Sequence, residues 1–150
     1  MKNHSSEVLY ISIDGIMEPL GYSQVFKYLE GLSQNYSVNL ISFEKKTDLA
    51  NLNRLNVIIK KCNSHDISWC RLKYRSGFYG LGKLMNIGNL ILVPIYFFLT
   101  KKVCLVHIRS YMPGIVIPIL KLLFRFKLIF DMRGFWADEK HDRLNWSKKS

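Results

Sequence analysis

Two short apolar runs flank a helical repeat near the start of this chain, and that pattern leaves few folds open. Residues 8–13 (VLYISI) and 38–43 (VNLISF) are apolar, rich in β-formers and short, so each reads as a buried strand. Between them Tyr22, Val25, Phe26, Leu29 and Leu32 recur at helical spacing, which predicts an amphipathic helix over 22–33. A strand, a helix and a strand within about 35 residues make the βαβ unit of a parallel sheet.

The rest of the chain extends the same alternation. Charged residues 44–54 read as a connection or short helix, and Val57, Ile58 and Ile59 as a third strand. In 62–76, Arg71, Lys73 and Arg75 alternate with Leu72 and Tyr74, which fits an edge strand or a basic loop. Residues 84–100 hold no charge and are bounded by Lys83 and Lys101. As a helix that run is about 25 Å long, short of the about 20 residues a bilayer requires. Asn86, Asn89 and Pro94 also speak against a span, so the expectation is a buried or interfacial helix, with membrane insertion as the alternative. A strand over 103–108, a helix over 115–124 and a strand over 127–130 follow, with Pro118 tolerable only in a first helical turn.

At 150 residues the chain is one domain's worth, and 49% hydrophobic residues exclude a disordered tail. The net charge of +11 favours an anionic partner: a phosphate, an acidic membrane surface or a nucleic acid. Cys62, Cys70 and Cys104 form no metal or disulfide spacing and read as reduced, mostly buried thiols of a cytoplasmic protein. No metal is expected. The apolar run at 8–13 is shorter than the core of a signal peptide.

In a doubly wound sheet, ligands bind beyond the carboxyl ends of the strands. Three stretches there carry unusual residues: DGIMEPLGYSQ (14–24), HIRSYMPG (107–114) and DMRGFWADE (131–139). In the first, Gly15 and Gly21 allow a close turn, and Gly21 opens a helix whose positive end suits an anion. Each residue also has a plainer reading. Gly21 can serve the turn alone, Glu18 can be a solvated loop residue, His107 a satisfied structural histidine, and Asp131 can pair with Arg133. The three glycines of GFYGLG (77–82) stand in the reverse of the dinucleotide-binding order and get no cofactor role. There is no G-x-S-x-G, H-E-x-x-H or P-loop.

Taken together, DGIMEPLGYSQVFKYLEGLS, LISFEK, HIRSYMPG and FDMRGFWADEK resemble the amino-terminal half of family 4-type retaining glycosyltransferases. These enzymes have the GT-B architecture, two Rossmann-like domains facing each other across a cleft. The resemblance implies an α/β, Rossmann-like three-layer domain with a mainly parallel sheet, an acceptor-side domain over 1–143 and a short tail over 144–150. It places Glu18, Gly21, Tyr22 and Ser23 on a loop facing the cleft near the donor phosphates. It puts His107, Arg109 and Ser110 on the acceptor side, and Asp131 and Arg133 on the cleft rim. Many relatives carry histidine near the position of Arg109, so catalytic residues are not carried over.

The donor-binding domain is marked in the family by two glutamates eight positions apart. Glu7, Glu18, Glu30, Glu44 and Glu139 include no such pair. The expectation is therefore half of a transferase for polysaccharide biosynthesis, a fragment or a split subunit, inactive until a separate chain completes it. The nucleotide-sugar donor would enter only with the missing domain. The acceptor would be a glycan or a lipid-linked sugar, and the location cytoplasmic, peripheral on the inner face of an anionic membrane. The alternative is a basic membrane-surface or nucleic-acid-binding module without activity. Nucleic acid is disfavoured, because the basic residues are scattered and no RNP, KH or helix-turn-helix pattern occurs.

Overall fold

The computed structural model describes residues 7–76 and 80–132. Arg133, the tail over 144–150 and part of GFYGLG lie outside them. Five strands make one sheet: β1 (Glu7–Ser12), β2 (Ser37–Glu44), β3 (Ile67–Lys73), β4 (Val103–Arg109) and β5 (Lys127–Asp131). Their order is β3-β2-β1-β4-β5, and every pair is parallel. This is the α/β, Rossmann-like three-layer domain that the alternation of elements predicts.

The two-residue period of the strands divides the core into two layers. Leu9, Ile11, Ile41, Phe43, Val106 and Ile108 face α5 (Leu81–Thr100) and α6 (Tyr111–Leu120). Tyr10, Val38, Leu40 and Ile67 face the helices of the opposite side. Those begin with α1 (Pro19–Gly21), a π-helical turn (Tyr22–Phe26) and α2 (Lys27–Leu32), which run on without a break. α3 (Lys46–Ala50) and α4 (Leu52–Ser64) complete that layer.

Three expectations need correction. Val57, Ile58 and Ile59 lie within α4 and form no strand. Ile58 and Cys62 are buried at helical spacing, and the Asn51 side chain caps the helix by accepting from the Arg54 N–H at 3.1 Å. The third strand is β3, the basic edge strand, whose Ile67 alone is fully covered. Pro118 sits near the end of α6, not in its first turn. The chain tightens after it, with i→i−3 bonds from Lys121, Leu122 and Leu123. Finally, Cys104 is exposed, while Cys62 is buried and its thiol pKa is pushed up to about 12 by that burial.

Asn86, read as weakening the apolar helix, has a definite task. It is buried, accepts from the Arg75 N–H at 3.2 Å and donates to the Arg75 carbonyl at 3.0 Å. That pair of bonds ties the end of the β3 connection to α5.

Candidate functional site

With β1 at the centre and successive connections running to opposite sides, the order reverses between β1 and β4. A doubly wound sheet opens a crevice at that place, beyond the carboxyl ends of the two strands. Arg109 is the last residue of β4 and pairs in register with Ser12 on one side and Asp131 on the other. Its guanidinium joins three segments. Nη1 donates to Asp131 Oδ2 at 2.6 Å, Nη2 donates to Gln24 Oε1, and Nε stands 3.6 Å from Asp14 Oδ2. The side chain is 11% exposed. The loop after β1, the π-helical turn and the end of β5 therefore meet on one planar cation at the end of β4, a geometry that lysine cannot reproduce.

Gln24 reaches Arg109 from the π-helical turn. There the Lys27 N–H bonds back to the Tyr22 carbonyl, five residues away. Such turns widen a helix locally and recur at functional sites. Ser110 follows Arg109 with φ 84° and ψ 159°, a backbone region nearly reserved for glycine. Its N–H donates to the Asp131 carbonyl at 3.2 Å, and its own carbonyl accepts from Gly114 at 3.2 Å. The strain lies where the chain leaves the sheet beside the crevice.

The loop after β1 is held from below by Glu44, the last residue of β2. Its fully buried carboxylate accepts from the Ile16 N–H at 2.9 Å, the Met17 N–H at 3.1 Å and the Ser42 hydroxyl at 2.6 Å. Ser42 in turn accepts from Trp69 Nε1–H at 2.7 Å. Burial raises the Glu44 pKa above 4.5, and the three donated bonds oppose that shift without cancelling it. Gly15 is required here, because a β-carbon on it would lie 2.3 Å from Glu44 Oε2.

A cleft of about 290 Å³ opens on this edge, lined by Ile13, Asp14, Glu18, Leu20, Gly21, Phe43, Lys45 and Tyr74. Lys45 reaches Glu18 at 2.9 Å. The lining thus combines two carboxylates, one ammonium and two aromatic rings. Asp14 belongs both to this cleft and to the surroundings of Arg109.

The candidates drawn from the sequence divide accordingly. Glu18 and Gly21 line the cleft; Arg109 and Asp131 form the crossing beside it, with Ser110 supplying the backbone under them. Tyr22 turns away, stacking on Phe26 at 5.1 Å and accepting from Lys61 Nζ of α4 at 2.6 Å. Ser23 is exposed and donates to the Leu20 carbonyl. His107 is buried between Tyr10 and Tyr28, with ring centroids 4.6 and 5.4 Å away. Burial lowers its pKa and lifts the Tyr10 phenol to about 12, so both rings are neutral fillers beneath the site. Arg133 lies outside the described residues.

Gln24, Glu44 and Lys45 are site residues that the sequence reading does not single out. Glu44 carried a signal, a carboxylate closing an otherwise apolar strand. Among the described residues no cluster of side chains could hold a metal ion. Comparison with known proteins finds no matching family model, no matching curated protein and no matching solved structure.

Proposed function

We propose that this chain is the acceptor-binding half of a glycosyltransferase of GT-B type, taking a glycan or lipid-linked sugar at the carboxyl edge of its sheet. The observation that carries the reading is the cleft beside Arg109. Its carboxylates, Asp14 and Glu18, suit the hydroxyl donors of a sugar, and Tyr74 offers a ring for its apolar face. A site for an anionic nucleotide would need an excess of cations, and this cleft holds two carboxylates against Lys45. The motif order supports the same assignment, since the stretches that resemble the family follow β1 or begin within the last residues of β2, β4 and β5. The donor sugar nucleotide and the chemistry of transfer fall to a second domain, and this half alone is expected not to turn over.

The test is nuclear magnetic resonance on the isotope-labelled chain with short oligosaccharides and sugar phosphates. Binding should shift the amides of 13–24, 43–45, 74 and 107–112 and leave α4 unchanged. No shift with any saccharide, or shifts confined to other faces, would overturn the assignment.

A further inference from the structure

α5 buries one narrow stripe, packs Val93, Ile95 and Phe98 partly against the core, and leaves the face opposite the stripe bare. Gly82, Asn86, Leu90, Pro94 and Phe97 are buried, each three or four residues from the last. On the opposite face, Leu84 is 67% exposed, Leu92 67% and Leu99 73%. Only 28% of the most apolar part of the helix is covered. α6 repeats the arrangement beside it. Pro113, Ile117 and Leu120 point inward, whereas Ile115, Ile119 and Leu122 are exposed. At the end of α5, Phe98 stacks on Phe124 at 4.8 Å and on Phe126 at 4.9 Å, both in the turn that follows α6.

Among the described residues the charge along this face is mainly positive, with Glu7 standing 3.9 Å from Lys101 at the end of α5. Between Asp66 and Asp131 the sequence holds ten Lys and Arg residues and no Asp or Glu. Lys83, Lys102, Lys121, Arg125 and Lys127 are exposed at the ends of α5 and α6 and in the turn leading to β5. An unpartnered apolar face this wide marks an interaction site. A cationic fringe around it selects an anionic partner with an apolar interior.

We infer that the outer face of α5 and α6 docks on an anionic lipid bilayer, lying in the headgroup layer without crossing it. A helix that buries apolar residues at the acyl boundary and is ringed by lysines binds in this manner. Spanning would require α5 to pull its own Leu90 and Phe97 out of the core. Docking would also hold the cleft at the lipid surface, since Asn86 ties the first half of α5 to Arg75, next to Tyr74 of the cleft lining. The inference stands apart from the proposed acceptor site and survives its failure.

Flotation of the full chain with vesicles tests it. Binding to phosphatidylcholine mixed with phosphatidylglycerol should exceed binding to phosphatidylcholine alone, and should fall as salt is added. Lys121→Gln and Arg125→Gln should each weaken partitioning about fivefold. Leu92→Glu with Leu99→Glu, both at exposed positions, should abolish it while the melting curve stays in place. Equal binding to neutral and anionic vesicles, resistant to salt, would overturn docking in favour of insertion. A lipid-free dimer that the same leucine substitutions dissolve would overturn it in favour of self-association through this face.

Discussion

Gly21 lies against the Gly15 carbonyl so closely that a β-carbon on Gly21 would stand 2.0 Å from that oxygen. Both atoms at fault would belong to the backbone, so no side-chain rotation relieves the clash. Gly21→Ala should cost about 3 kcal/mol or more, at the upper end of overpacking, because loop and helix must separate. Gly31, at the far end of the same helical run, has nothing within 4 Å of its would-be β-carbon. Gly31→Ala should therefore gain about 0.5–1 kcal/mol from helix propensity. Urea unfolding of the two variants checks both signs, and similar losses at the two positions would refute the close approach.

The Glu44 carboxylate makes the stability of the domain depend on pH. Its folded pKa is raised above 4.5 by burial. The folded state therefore keeps its proton to higher pH than the unfolded chain does. The corresponding stability is present below the unfolded pKa and is lost as pH rises through the folded value. Glu44→Gln has no such proton to lose. The melting temperature of the native chain, relative to the variant, should fall from pH 4 upward and level off above the folded pKa. At every pH the variant sets an amide N–H₂ beside backbone donors, at a cost of about 1–3 kcal/mol. A constant difference across the range would mean that Glu44 titrates alike in both states.

Arg109 and Asp131 should be strongly coupled. Arg109→Lys retains the charge but cannot reach Asp131 and Gln24 together, so about 2 kcal/mol of stability should go with the charged hydrogen bonds. Asp131→Asn, made in the native chain and in the Arg109→Lys variant, completes a double-mutant cycle. A coupling of about 1–3 kcal/mol is expected, and additive effects would show that the pair holds nothing in place.

The central strands were legible because most of their residues on both faces are buried, so β1, β2 and β4 read as short, largely apolar runs. β3 was legible only as one of two alternatives, an edge strand or a basic loop, for the same reason. It is an edge strand, and its exposed positions carry Arg71 and Lys73, which dilute the apolar signal. α4 was missed because Val57, Ile58 and Ile59 are adjacent β-branched residues. Tertiary packing overrode their preference, burying Ile58 and leaving Val57 51% exposed.

For the site, Arg109 and Asp131 could be found because residues that end parallel strands share an edge. Glu44 ends β2 and shares that edge, but its task, like that of Gln24, could not be read in the same way. Their roles come from a widened helical turn and from a loop folding back over β2, and neither closure is written in local spacing.

The placement of β1 between β2 and β4 bears on the order in which the domain is made. Tyr10 pairs with Leu40 on one flank and with His107 on the other. The first partner follows Tyr10 by 30 residues, the second by 97. Until the second is made, a nascent chain presents an open parallel edge at what will become its centre, with α5 already synthesised and nothing for Leu90 and Phe97 to pack on but half a sheet. An exposed strand edge next to a sticky helix is an aggregation hazard. β1 thus stays open on one side until β4 arrives, and that interval is the time in which chaperones or a lipid surface matter most to its fate.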